Sequence, residues 1–396
     1  MSNRRRGKGE GSIYQHASGL WIGRVDCGWR DGKRVRRTVY GKTRRACADA
    51  LTKVLRDRQQ GLLSLTPSQS VDTYLREWLQ HVASTIRATT LRSYRQVVDD
   101  YLRPDLGRLR LDRLTPQQVE AFMQQRQQQG TSASQVRYAR NVLRAALGRA
   151  VRLGLVSRNV AALATPPRVT RRTIQPLTVD QARTLLQVAS QPFKGPKSST
   201  RLSRLGPLVT TALALGLRVG EALGLSWSDV DFDKGHVVIR QQLQWLSKQP
   251  PRLVPPKSDA GRRTVVAPPV VLNALRQLRQ QQRRDRLRAG GQWQPLAGLD
   301  DLVFISRTGQ PLHPSTVLRD FQALLTRAGL PRRRLHDLRH SCATLLLAQG
   351  VQPRVVASAL GHTDVRLTLQ TYAHVLLDAQ ADAAARMQQA LTGTAP

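Results

Sequence analysis

The sequence predicts an α+β multidomain protein, and three observations carry that prediction. A short amino-terminal stretch alternates in strand-length segments, a long middle stretch carries only helical stripes, and the remainder mixes capped helices with a few strand-like segments around Pro-rich bends. The expected order is a small three-stranded sheet plus helix, then a helical bundle, then a mainly α domain with a small β-sheet. At 396 residues the chain is long enough for two or three such domains.

Residues 12 to 40 read as three antiparallel strands, SIYQHASG, LWIGRVDCGWRDG and KRVRRTVYG, followed by a helix from about Thr43 to Gln60 that Gly61 closes. Residues 1 to 65 hold 16 basic and 5 acidic side chains, with Tyr14, Trp21, Trp29 and Tyr40 among the arginines. A small sheet can lay one face in a DNA groove while a helix covers the other.

From Ser68 to about Ala164 the reading is helical, with segments near 70–84, 89–102, 116–129 and 134–153. Thr90 is a candidate N-cap, Thr115-Pro116 supplies an N-cap with Pro at the first helical position, and Gly130 stops the third helix. Val119, Phe122 and Met123, then Val136, Tyr138, Val142, Leu143, Ala146 and Leu147, form core stripes. Arg87, Arg92, Arg95, Arg137, Arg140 and Arg144 are candidates to face phosphates. Residues 163 to 178, LATPPRVTRRTIQPLT, break the helical pattern with Pro and Arg. The expected boundaries are 1–65, 66–165, a linker at 166–178, and 179–396.

The last domain opens with a helix capped by Thr178 and continues through LVTTALALGL to a break at Gly216. Arg218 starts the next short helix, and Glu221 lies one turn on. A helix start favours an anion, so Arg218 is placed to grip one, with an ion pair to Glu221 as the plain alternative. Strands are expected near 235–244 and 263–267 around a Pro-rich bend that holds Lys257. A basic helix is expected at 274–290, a short strand at LVFIS (302–306), and an amphipathic tail from Val375 to Leu391.

The densest chemistry lies between His336 and Tyr372. A buried helix from Asp337 to Ala348, ended by Gly350, brings His336, Arg339 and His340 within about one turn. A short helix from Arg354 to Leu360, a turn at Gly361-His362 and a further helical run then lead to Tyr372. A tyrosine hydroxyl, with a free pKa near 10, becomes a useful nucleophile where cations stabilise the charge developing on a phosphate. HDLRH also approaches the HExxH spacing of zinc hydrolases, but Asp337 replaces the glutamate, no third ligand is evident and Arg339 would stand beside the metal.

Composition narrows the partner. A formal charge of +37 recruits a polyanion, and nucleic acid is the usual one. Only nine of the 63 basic residues are Lys, a bias that suits bidentate phosphate contacts and that a GC-rich genome would equally produce. The three cysteines support neither a disulfide framework nor a zinc cluster. No apolar run reaches a membrane span and the N-terminus lacks a signal-peptide core, so a cytoplasmic protein is expected.

With these residues in view, the sequence resembles the tyrosine recombinases, and among them the phage-type integrases with an N-terminal arm-binding domain. The motifs are GLRVGEALGLSW around Arg218, PPKSDAGRRTV around Lys257, HDLRH around His336 and Arg339, LGH ending at His362, and QTYAH around Tyr372. The resemblance implies a helical, SAM-like core-binding domain before the catalytic one. It implies Tyr372 as nucleophile, Arg218 and Arg339 as the phosphate clamp, and Lys257 as the acid for the leaving 5′-oxygen. His336 would help take the tyrosine proton, His362 would hydrogen-bond the phosphate, and Glu221 and His340 would be supports. It further implies double-stranded DNA attachment sites, a homotetramer on DNA, a possible accessory directionality or DNA-bending protein, and no metal or other cofactor. The rival readings are a type IB topoisomerase-like enzyme and a non-catalytic DNA-binding regulator.

Overall fold

The computed structural model describes residues 11–30, 33–59, 69–170, 175–191, 199–246, 249–366, 369 and 387–393. The fold is mixed α+β, in two compact units, Met1–Arg171 and Arg172–Pro396.

In the first unit, β1 (Ser12–Gln15), β2 (Trp21–Arg30) and β3 (Lys33–Gly41) form an antiparallel sheet in the order β1-β2-β3. Alternation puts Gly23 and Val25 on the face covered by Cys47 and Leu51 of α1 (Arg44–Gln59). Gly23 is required there, because a Cβ would come within 2.8 Å of Val39 and 3.1 Å of the Cys47 sulfur. The opposite face carries Tyr14, Ile22 and Tyr40 in one row and Ser12, Arg24 and Thr38 in the next.

The helical part of this unit comprises α2 (Val71–Val82), α3 (Ala88–Val97), α4 (Arg103–Leu106), α5 (Pro116–Gln128), α6 (Ala133–Arg152) and α7 (Val160–Leu163). Its core joins Leu75 and Trp78 to Phe122, Met123, Leu143 and Leu147. Buried Tyr74 donates to the Ala146 carbonyl at 2.6 Å, and burial pushes its hydroxyl up to about 12. Thr115 and Ser132 make capping boxes with Gln118 and Gln135, and Gly130 takes the left-handed turn.

Three expectations fail in this unit. Tyr138 is not in the core: it is 40% exposed on α6, while Val136, Ala139, Val142 and Leu143 face inward. Thr90 is not an N-cap: the Arg87 carbonyl already accepts from the Leu91 amide at 3.0 Å, so α3 starts earlier, without a side-chain cap. Arg140 does not face solvent. It is buried and donates to the Ala162 and Ala164 carbonyls at 3.0 and 2.9 Å, closing the end of α7, whereas Arg87, Arg92, Arg95, Arg137 and Arg144 are exposed.

The second unit begins with α8 (Val179–Ser190), capped by Thr178 in a box with Gln181, and α9 (Ser199–Ala214). Around α9 pack α8, α11 (Pro269–Ala289), α12 (Pro314–Arg327) and α13 (Asp337–Ala348). Between α9 and α11 lie α10 (Val219–Leu223) and the strands β4 (Val230–Asp231), β5 (His236–Ile239), β6 (Gln242–Gln244), β7 (Arg252–Val254) and β8 (Arg263–Val266). The expected strand at 235–244 is thus two: β5 pairs with β4 and β8, and β6 pairs with β7.

LVFIS is not a strand. Leu302, Val303, Phe304 and Ile305 are all buried, and their backbone reaches its partners singly, through bridges at Ser226 and Pro311 and a bond from Val303 to the Leu225 carbonyl. The run is apolar because it fills the core. The basic helix appears as α11, with Arg276 and Arg279 stacked over Phe232 and Trp227. Most of the expected tail helix lies outside the described residues; Met387–Thr392 is helical. No helix among the described residues is long and apolar enough to cross a membrane.

Candidate active site

The site is built where two chain reversals meet. After α9 the chain turns at Gly216, whose φ is +61°, and α10 then begins with Arg218 in extended conformation as its N-cap. The other reversal ends α14 (Pro353–Leu360): Gly361, at φ +66°, turns left-handed and the His362 amide bonds back to the Ala357 carbonyl at 2.9 Å. The two turns are in close contact. A Cβ on Gly216 would sit 2.2 Å from Leu360 Cδ2 and 3.2 Å from the Cys342 sulfur, so glycine is needed for space as well as for φ.

Arg339 closes this crossing. It lies in the first turn of α13 and is 3% exposed, and its Nη1 donates to the Gly216 carbonyl at 2.8 Å. Arg218 is partly exposed; its Nη1 meets Glu221 Oε1 at 2.5 Å and its Nη2 reaches the Gly361 carbonyl at 3.4 Å. Glu221 is buried, and it also accepts from the Arg218 amide at 3.1 Å. The pairing is therefore an interior brace and not a surface ion pair. Burial alone would push the Glu221 carboxyl up, but the adjoining Arg263 and Arg218 guanidiniums hold it below the usual carboxylate range.

His336 precedes α13 with its ring edge-on to His340, centroids 5.3 Å apart. Burial, then His340, Arg339 and Arg218, lower its pKa, and burial lowers that of His340. His362 is pushed down to about 4 by burial and by Arg339 and Arg218. Arg339 and Arg218 act on both His336 and His362, which marks one cluster. Lys257 is exposed on the loop between β7 and β8, whose far end returns to the same place through Gly261 and Arg263. Tyr372, and the run expected to deliver it, lie outside the described residues apart from a few positions before it. Among the described residues, no three His, Cys, Asp or Glu converge. The sequence reading missed Arg263, whose only local signal was its place in GRRTV.

These histidines make stability depend on pH. A histidine whose folded pKa lies below its unfolded value near 6.5 contributes stability in full above 6.5. That contribution is lost as pH falls toward the folded value, because the unfolded chain takes the proton first. The thermal midpoint of the DNA-free protein is expected to fall between pH 7 and pH 4.5, and His362→Gln to lose less across that window. Equal losses would show that His362 does not titrate in this way.

A second basic surface lies on the open face of the amino-terminal sheet. The Arg24 guanidinium stacks over the Tyr14 ring at 5.4 Å, and Tyr40 is 65% exposed. This pairing fixes a cation and an aromatic edge on a rigid strand.

The sequence matches the phage integrase family over residues 175–378, and the N-terminal SAM-like domain of phage integrases over 71–125. An integrase of Saccharopolyspora erythraea is 29% identical, with 98% of each chain covered. A tyrosine recombinase XerC-like protein of Caldanaerobacter subterraneus subsp. tengcongensis is 26% identical over 87% of this chain and 90% of its own. The fold is similar to that of the Tn1549 transposon integrase in complex with transposon right end DNA, with a TM-score of 0.68, 19% identity, and 82% of this chain and all of that one covered. It is also similar to a lambda integrase tetramer bound to a Holliday junction, with a TM-score of 0.56, 18% identity, and 93% and 96% covered. With more than half of its residues matched and its fold shared along most of its length, this chain belongs to the phage integrase family.

Proposed function

We propose that the protein is a tyrosine-type site-specific recombinase that integrates or excises a phage or other mobile element. The observation that carries this reading is the convergence of Arg218, Arg339 and His362 on the crossing of Gly216 and Gly361. Two guanidiniums and an imidazole held beside packed backbone form a preorganised cradle for a tetrahedral phosphate, with little left to reorganise during reaction.

In this mechanism the Tyr372 hydroxyl oxygen attacks the scissile phosphorus as the bond to the 5′-oxygen breaks. A 3′-phosphotyrosyl ester forms and a 5′-hydroxyl departs. His336 helps accept the tyrosine proton, Lys257 donates one to the 5′-oxygen, and Arg218 and Arg339 neutralise the non-bridging oxygens. The depressed pKa of His336 leaves it neutral near pH 7, as a proton acceptor must be. The ester conserves the bond energy, so a 5′-hydroxyl from a partner duplex can reverse the step and join new ends. Strand exchange between two duplexes then calls for four protomers, with an accessory protein setting direction, in the compartment that holds the DNA.

The test is covalent trapping on a nicked duplex carrying the element's own core site, found from its flanking DNA. A denaturant-resistant protein–DNA adduct is expected. A bound site without adduct would instead identify a DNA-binding regulator, and efficient relaxation of supercoiled DNA lacking a second site would identify a topoisomerase. The face with Arg24, Tyr14 and Tyr40 is assigned to accessory arm sites. Removal of residues 1–65 is expected to abolish recombination between full attachment sites while sparing cleavage at a core site. Equal recombination by the truncated protein would remove that assignment.

A further inference from the structure

Arg263 has no part in the chemistry above, yet it is tied to the site at three points. Its side chain is 7% exposed, and its guanidinium reaches three separate elements. Nε donates to the Ala359 carbonyl at 2.7 Å in the last turn of α14, and Nη1 to the Gly261 carbonyl at 3.2 Å in the Lys257 loop. Nη2 donates to Glu221 Oε2 at 3.1 Å. Gly361 lies against it so closely that a Cβ there would stand 3.0 Å from Nη1. The two carbonyls fix the guanidinium plane, and the remaining edge is aimed at Glu221.

The consequence falls on Arg218. Glu221 meets Arg218 through Oε1 and shares Oε2 between the Arg218 amide and Arg263. Because Arg263 takes that oxygen, the Arg218 side chain holds Glu221 through one nitrogen only. Without Arg263, a buried carboxylate whose Oε2 keeps only the Arg218 amide would draw the Arg218 fork into a two-point grip and turn its other edge away from a phosphate. A lysine could supply the charge at this position but not three bonds in a fixed plane.

We infer that Arg263 is a positioning residue, which acts through Glu221 to hold Arg218 in the orientation that leaves one guanidinium edge for the scissile phosphate. The inference rests on the DNA-cleavage reading above. The full-length protein is tested on the nicked core-site duplex in single-turnover trapping, with core-site binding and thermal melting measured alongside. Arg263→Lys is expected to bind as wild type does and to melt lower, yet above the assay temperature, while its rate of adduct formation falls on the order of 10²-fold, the scale of a small misplacement of a reacting group. Added to Glu221→Gln, it is expected to cost little more, since both changes break one relay. Cleavage at the wild-type rate, or penalties that multiply, would overturn the inference while wild type still cleaves. Failure of the wild type itself on a bound site would remove the cleavage reading and this inference with it. Should Arg263→Lys melt below the assay temperature, Glu221→Asp keeps both charges, shortens the bridge by one methylene and must show the same loss.

Discussion

Tyr372→Phe is expected to bind its core site as tightly as wild type and to form no covalent adduct on nicked DNA. The change deletes one oxygen and leaves the ring, so the charge of the domain, its phosphate contacts and its packing are preserved. On the proposed mechanism, the change removes the atom that bonds to phosphorus. A water molecule entering the cradle would release a free 3′-phosphate instead of a protein-linked one. Gel separation under denaturing conditions therefore tells three outcomes apart: adduct, hydrolysis and no cleavage. Adduct formation by Tyr372→Phe would require another nucleophile and would end the assignment of Tyr372.

The second large effect is expected at Arg339, where one side chain has two tasks that a pair of variants can separate. Arg339→Ala removes the phosphate donor that the proposed mechanism assigns to it, an effect expected to be on the order of 10²–10³ in rate for a preorganised oxyanion contact. It also deprives the buried Gly216 carbonyl of its donor, which costs about 1–3 kcal/mol in stability. Arg339→Lys returns one donor and the charge but not the fork. It is expected to recover part of the melting temperature and little of the cleavage rate. Parallel recovery of both would mean that Arg339 serves the fold alone.

The sequence announces side chains whose job is local or chemical. Thr115, Ser132 and Thr178 sit at helix starts because an oxygen there satisfies an amide two or three residues on, and Gly130, Gly350 and Gly361 follow helices because the left-handed turn excludes Cβ. The polar site residues also stand out, since two arginines, three histidines and a lysine near glycine turns are dispensable to a core. What stays illegible depends on partners distant in sequence. Thr90 looked like a cap because its own neighbours permit it, but Arg87 extends and its carbonyl takes the first helical bond. LVFIS has the composition of a strand, and only its lack of a continuous partner makes it something else. Arg140 and Arg263 look like other surface arginines, and the carbonyls that receive them lie 22 and 24 residues away for the first and 96 for one bond of the second.

That separation bears on the order in which the protein is made. The bond from Arg263 to Ala359 spans 96 residues, that from Arg339 to Gly216 spans 123, and that from Arg218 to Gly361 spans 143. Each loop must close against its chain entropy before its bond forms, and such long-range pairings are slow. A nascent chain that has emerged only as far as β8 holds Arg218 without the Gly361 segment that braces it. The sheet and bundle of the first unit, complete by then, are free to fold before these long-range bonds exist. On the proposed roles, synthesis from the amino terminus would put recognition ahead of cutting, and a polypeptide released early is expected to occupy its site without breaking it.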